Sequence, residues 1–352
     1  ELPYYAIGEA DFLLSFGADY LSHWLSPVHH SIGYGNLRQS AERTRGHVVQ
    51  VESRMSLSGA NADQWLPARP GSEGLIALAI AGRISGAAEL SRYTVERAAT
   101  ASGLEAHVIV ELADTFAAAG KPLAIAGGSA TNSTNGMANA AAVNLLNAVA
   151  GGVSSGVVVG NPDPVIGAGV SNRRAGFAEM KELIADINAG RIEALIVVDT
   201  NPVYALPEKL GLRAAIESVP FVVAISPFVD ETSTLADYIL APHSALESWG
   251  DDAPQPGVGL SAASIAQPVV SPVHDTRALG DIVIELGRRL GSDVAAVLPW
   301  ENHYEDLRAR WQEVYDARAD SLDGMSFDEF WNSVLQAGVW AEQRQGPQLP
   351  KP

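Results

Sequence analysis

The sequence predicts an α/β protein made of two units, each a parallel sheet with helices on its faces. Three observations carry that expectation. Short apolar runs alternate with longer helical patterns along most of the chain. Most of those runs end in Gly, Asn, Asp or Pro, the residues that turn a chain sharply. The composition, 47% hydrophobic and 18% charged over 352 residues, lets each of two domains bury its own core.

In the first unit the apolar run over 10–16, stopped by Gly17, reads as a buried strand running into a tight turn. A helix is expected over 23–39, a second strand over 48–51, and Glu52-Ser53-Arg54 as the loop after it. Pro70-Gly71-Ser72-Glu73 reads as a helix start, with Ser72 as the cap and Glu73 near the positive end of the helix dipole. Helical patterns follow over 95–100 and 105–119, then a strand over 122–126 with Gly127-Gly128-Ser129 as its exit, and a helix over 135–149.

Three Gly and two Ser within 151–156 mark the expected boundary. Beyond it the alternation restarts: helix over 177–189, strand over 194–198, the turn Asp199-Thr200-Asn201-Pro202, strands over 221–225 and 237–240. The stretch 253–267 reads as a surface loop, followed by helices over 276–290, 304–317 and 327–336. The expected division is 1–156, 157–295 and a helical extension over 296–352, whose Trp300, Trp311, Trp331 and Trp340 should pack on a neighbouring domain.

A formal charge of -18 argues against a nucleic-acid partner, which needs clustered Lys and Arg to displace counterions. It equally disfavours direct contact with anionic lipid heads. With no Cys, the chain can ligate no iron–sulfur cluster through thiolates and form no disulfide. Its apolar runs are too short to span a bilayer, so no direct membrane insertion is expected. The chain opens at Glu1 without an initiator Met, a basic n-region or an apolar h-region, and we read it as an excised piece of a longer protein.

In parallel sheets ligands gather at the carboxyl ends of strands, so the exits at Gly17-Ala18-Asp19, Glu52-Ser53-Arg54, Gly127-Gly128-Ser129, Asn201-Pro202 and Ser226-Pro227-Phe228 are the candidate positions. Taken singly, each is ordinary turn chemistry. Their order, together with Ala62-Asp63-Gln64-Trp65-Leu66, Pro70-Gly71-Ser72-Glu73 and the tract from Glu231 and Thr232 through Asp237 to Pro242, resembles the molybdopterin oxidoreductases of the dimethyl sulfoxide reductase type. The segments GADYLSHWLSPVHHSIGYGNLR and VVQVESRMSLSGANADQWLPARPGSEG resemble the large subunit of alternative complex III and of menaquinone reductase complexes.

That resemblance implies the two central Rossmann-like units of the family fold. It implies an ancestral site for molybdopterin guanine dinucleotide at Gly17, Asp19, Glu52, Arg54, Gly71, Glu73, Gly127, Asn201, Pro202, Ser226, Glu231, Thr232 and Asp237, with Glu52 toward guanine, Arg54 toward phosphate or structure, and no iron–sulfur cluster in this chain. Several positions depart from the family pattern. Asp19 stands where the family has Asn, placing like charge against an anionic cofactor, and Glu52 and Glu73 are each one methylene longer than the usual Asp. The molybdenum ligand of the family lies upstream of the first strand, so this chain alone is expected to be inactive.

Three readings stay open on sequence. The first is a catalytic subunit whose units hold pyranopterin dinucleotides. The second is a cofactor-free scaffold in a quinol-oxidising complex, which Asp19 and the WLSP segment favour; its partners would be the rest of the parent subunit and iron–sulfur and membrane subunits, and it would be held, itself soluble, at the extracytoplasmic side of the membrane. The third is an unrelated nucleotide-binding enzyme, for instance one using NAD or thiamine diphosphate; the lack of G-x-G-x-x-G after the first strand counts against NAD.

Overall fold

A computed structural model describes residues 3–39, 44–160, 166, 175–253, 259–322 and 324–342. Two units are present, the first within Glu1–Asp163 and the second within Pro164–Pro254 and Ala262–Glu342.

In chain order the first unit runs β1 (Tyr4–Tyr5), β2 (Phe12–Phe16), α1 (Pro27–Gln39), β3 (His47–Glu52), α2 (Leu57–Ala60), β4 (Gln64–Pro67), α3 (Glu73–Ser85), α4 (Val95–Ser102), α5 (Ala106–Ala118), β5 (Pro122–Ala126), α6 (Gly136–Ala150) and β6 (Val158–Val159). Four strands pair in parallel in the order β4-β3-β2-β5. The register stacks Leu14, Val49 and Ala124 on one face and Leu13, Val48 and Leu123 on the other. The first face packs on Ile76 and Ile80 of α3, Phe116 of α5 and Leu146 of α6. The second packs on Tyr5, Ile7, Tyr20, Leu37 and Val157. Both faces are covered, as a parallel sheet requires.

Local sequence sets where these elements stop. Gly86 ends α3 and Gly151 ends α6, both with positive φ, the left-handed conformation that closes a helix. The Thr94 hydroxyl caps α4 by accepting from the Arg97 amide. Ser72 holds the cap position of α3, yet its hydroxyl donates to the Arg69 carbonyl at 2.6 Å, so the expected side-chain cap is not made.

The second unit runs α7 (Phe177–Asn188), β7 (Ala194–Val198), α8 (Pro202–Ala205), α9 (Leu212–Glu217), β8 (Phe221–Ile225), β9 (Tyr238–Leu240), β10 (Gly250–Asp252), β11 (Ser261–Ala266), α10 (Leu279–Leu290), α11 (Ser292–Val297), α12 (His303–Asp316), α13 (Phe327–Ala337) and β12 (Val339–Glu342). The parallel sheet β7-β8-β9 packs Leu195 and Val222 on Ile184 and Ile187 of α7 and Leu212 and Ile216 of α9. A second sheet, β10-β11-β12, lies with α12 and α13 around Trp311, Phe330 and Trp331.

Several expectations need correction. The stretch read as a loop over 253–267 contains strand β11; its residues 254–258 lie outside the described ones. Trp311 and Trp331, expected to pack the 296–352 extension on a neighbouring domain, are buried with Ala263 and Ile265 of the preceding stretch, in one core. Glu52 is the last residue of β3 and not loop, and the helix expected from residue 23 begins at Pro27 after a run of turns.

Candidate functional site

At the mouth of the first sheet the exit loops of β2 and β5 interlock through glycine. Gly17 has φ +68°, and a Cβ there would stand 2.6 Å from Ser129 Oγ and 2.8 Å from the Gly127 carbonyl oxygen. Gly128, at φ +48°, faces back: a Cβ on it would strike the Gly17 carbonyl. Only glycine permits both the backbone conformation and the approach. The loop is further tied down, since Ser15 Oγ and Gln50 Nε2 both donate to the Ala18 carbonyl at 3.2 Å.

Both carboxylates at this mouth are turned inward. Asp19 Oδ1 accepts from the amide and hydroxyl of Ser58, at 3.1 and 2.8 Å, and Oδ2 lies 3.5 Å from His23 Nδ1. Glu52 is 2% exposed. Its Oε1 accepts from the Ser56 amide at 2.7 Å and its Oε2 from Gln50 Nε2 at 2.9 Å. Gly59 packs against that carboxylate so closely that a Cβ would strike Oε1. Arg54, next along the loop, is exposed.

Trp24 lies directly on Gly127, where a Cβ would run into the indole. The indole stacks on His30, with centroids 5.2 Å apart and planes 25° from parallel. Leu25, next in the chain, has φ +53°, a left-handed conformation that costs a non-glycine residue about 1–2 kcal/mol. His30 is buried with neither ring nitrogen hydrogen-bonded, and burial together with its neighbour His29 lowers its pKa to about 4. The ring is neutral at physiological pH.

Gly71 has φ +83°, and its carbonyl accepts from Asn135 Nδ2 at 2.8 Å. Glu73 opens α3 and is fully buried; its carboxylate lies near the amides at the head of the helix but makes no hydrogen bond of good geometry. Burial raises its pKa, the amides of Glu73 and Gly71 pulling the other way.

In the second unit the exits are tied to each other. Asn201 Nδ2 donates to Glu231 at 2.7 Å, and Asn201 Oδ1 accepts from Thr232 Oγ1 at 2.7 Å and caps α8 through the Tyr204 amide. Thr232 Oγ1 in turn accepts from the Val203 amide, and Pro202 opens the same short helix. The Asn201 hydrogen bond holds Glu231 below the usual carboxylate range. Ser226 Oγ donates to the Phe228 carbonyl at 2.8 Å. Asp237 stands at the opposite end of the sheet, clasping the start of β8 through Val222, and does not join this group.

The structure thus brings Gly17, Asp19, Glu52 and Gly127 together in one unit and Asn201, Pro202, Glu231 and Thr232 in the other. Sequence reasoning missed the groups that occupy the carboxylates: Gln50, Ser56, Ser58 and Gly59. The Ser-x-Ser-Gly run shortly after a strand-terminal Glu was the available signal. Arranged this way, the residues do not fit an anionic dinucleotide. The carboxylates already accept from the protein, the glycines meet each other, and Trp24 covers Gly127. Among the described residues of this unit, the Glu73 carboxylate and Gln50 Oε1 are buried acceptors without a well-formed hydrogen bond.

The molybdopterin oxidoreductase family model matches residues 3–289. A menaquinone reductase molybdopterin-binding-like subunit of Nitratidesulfovibrio vulgaris is 29% identical over 92% of this chain and 49% of its own length. The arsenate respiratory reductase molybdopterin-containing subunit of Shewanella sp. ANA-3 is 24% identical over 96% of this chain and 50% of its own length. Acetylene hydratase from Pelobacter acetylenicus superposes with a TM-score of 0.71 at 16% identity, over 94% of this chain and 52% of that one, which shows a shared fold. The chain spans about half the length of these relatives. The two parallel-sheet units, the succession of strand exits and a family match across most of the sequence lead to one conclusion: this chain belongs to the molybdopterin oxidoreductase family.

Proposed function

We propose that the chain is the central part of a family subunit that serves as a cofactor-free scaffold in a membrane-associated quinol-oxidising complex, beside iron–sulfur and membrane subunits. The observation that carries this reading is Trp24 seated on Gly127, the place where a dinucleotide phosphate would need bare backbone. Asp19 and Glu52, both satisfied by protein donors, support it. So does the likeness to a subunit named molybdopterin-binding-like within a menaquinone reductase. Function resides in the site and not in the fold, so a family member can keep the architecture without the cofactor.

The test is molybdenum and pterin content of the full-length parent purified from its native membrane. Less than a tenth of an equivalent of each in an intact complex agrees with the scaffold. Stoichiometric molybdenum overturns it.

One observation favours a second reading, a catalytic subunit holding guanine dinucleotide pterins. Glu73 is a buried carboxylate without a well-formed hydrogen bond, and a guanine edge or a pterin amine would supply one. Under that reading a Glu73→Gln variant of the parent loses pterin while keeping its fold; under the scaffold reading its cofactor content is unchanged from nil.

A further inference from the structure

Within the second unit the starts of α10 and α12 close on the stretch that leads into β10. Two adjoining cavities lie there, of about 610 and 430 Å³, and His243, Ser248, Trp249, Ala278 and His303 wall both. A Cβ at Gly280 would strike the His303 ring, so α12 rests on the first turn of α10 through a glycine. Asp281 Oδ1 accepts from the His303 amide at 2.7 Å, leaving Oδ2 with no hydrogen bond among the described residues. Glu247 accepts from the amides of Ser244 and Val273, each at 2.9 Å, and these hold it below the usual carboxylate range. Trp249 and Tyr304 meet at a corner, with ring centroids 4.8 Å apart and planes 56° apart, and Trp331 backs Tyr304 at 6.0 Å.

The charge of these walls is one-sided. Glu247 and Asp281 line the larger cavity and Asp306 the smaller, while no Lys or Arg among the described residues lines either. Arg310, which reaches Asp306, is paired between it and Asp251. Carboxylates set among low-dielectric walls draw cations, and the faces of Trp and Tyr attract them further. His243 adds an acceptor. Thr276 Oγ1 donates to the His274 carbonyl at 3.4 Å and so accepts from His243 Nδ1 at 2.6 Å, which leaves Nε2 of the neutral ring to accept. Pro268, Val269 and Val270 give the larger cavity an apolar wall. We propose that this cavity binds an alkylammonium or alkylguanidinium cation, with Asp281 Oδ2 accepting from its N–H groups, Trp249 and Tyr304 against its charge and Val269 and Val270 along its alkyl stem. A free amine and a Lys or Arg side chain of a partner present the same group. The inference is independent of whether a pterin is bound.

Titration calorimetry on the full-length parent tests this with butylammonium, butylguanidinium and, as an anion of matching length, butyrate. The expected result is saturable binding of at least one of the cations and none of butyrate. Asp281→Asn keeps the Oδ1 acceptor and removes the charge, and should weaken cation binding by about tenfold or more, the worth of a hydrogen bond to a charged group. Glu182→Gln, the same loss of charge at an exposed position of α7, should leave binding unaltered. If Asp281→Asn fails to fold, Trp249→Leu is read instead, with an expected loss of about fivefold. No cation binding up to about 10 mM, butyrate binding as well as the cations, or unchanged affinity in the folded cavity variant overturns the proposal. Acetyl-Gly-Lys-Gly-amide and its Arg counterpart distinguish the sources: binding tighter than that of the simple cations assigns the site to a partner's side chain, and equal or weaker binding assigns it to a free amine.

Discussion

Asp63 and Asp237 occupy the same place in the two units. Each follows an alanine and precedes the third strand of a parallel run, and each accepts at 2.8 Å from the amide at the head of the neighbouring strand, Val48 in one case and Val222 in the other. The same valines accept the aspartate amides in return, at 2.9 and 2.8 Å. The difference between them is charge: Asp63 also pairs with Arg38, Arg45 and His47. Asp237→Ala is therefore expected to cost about 1–3 kcal/mol, the loss of a hydrogen bond to a carboxylate. Asp63→Ala also removes the pairings with Arg38, Arg45 and His47, leaving Arg38 the Gly46 carbonyl, and should cost more than Asp237→Ala. Urea unfolding of the two variants checks the order; an equal loss would remove the charge argument.

Gly127→Ala should destabilise through collision with Trp24, by about 1–3 kcal/mol. Trp24→Ala clears that space, so the double variant should be more stable than the sum of the two losses predicts. A double-mutant cycle measures this coupling, expected at 1 kcal/mol or more in order of magnitude. A coupling near zero would mean the two residues do not meet.

Glu52→Ala leaves the Ser56 amide without its acceptor and removes one of the two acceptors of Gln50 Nε2, which keeps the Ala18 carbonyl, for an expected cost of about 1–3 kcal/mol. Gly59→Ala pushes on the same carboxylate from the other side and should destabilise less in the Glu52→Ala background than alone. Thermal melting of the three variants tests both statements.

Stability should depend on pH in three distinguishable ways. His30 takes a proton near 6.5 when unfolded but only near 4 when folded, so the stability it confers is complete above 6.5 and falls away as pH drops toward 4. Burial pushes Asp63 up, but hydrogen bonds from Arg38 and the Val48 amide outweigh it and hold its pKa below 3.8. Its contribution is present above 3.8 and lost as pH falls through the lower folded value. Glu73 runs the other way: its folded pKa is raised above 4.5, so its contribution is present below 4.5 and lost as pH rises through the raised value. His30→Phe should flatten the slope between pH 6.5 and 4, and Glu73→Gln should raise stability at pH 7; unchanged slopes in denaturant titrations would contradict both assignments.

The strands that were legible in sequence were the apolar ones, Phe12–Phe16, Pro122–Ala126, Ala194–Val198 and Phe221–Ile225, because a parallel strand writes itself as a continuous apolar run. Gly250–Asp252 and Ser261–Ala266 were not legible: GDD and SAASIA carry little strand propensity and are held by pairing with each other. Gln64–Pro67 was hidden in the same way, as an edge strand beside β3. At the site, the order of the exits was readable, but the fate of the side chains was not. That Glu52 is consumed by residues two before and four after it, and that Trp24 reaches Gly127 from far along the chain, are facts of three-dimensional packing.

The interlock of Gly17 with Gly128 has a consequence for assembly. Two loops that would otherwise be ordered by whatever lands on them are already fixed by each other, so their conformational entropy is surrendered during folding. A partner arriving at this mouth finds a rigid template and gives up little further freedom there, so association can proceed as near rigid-body docking.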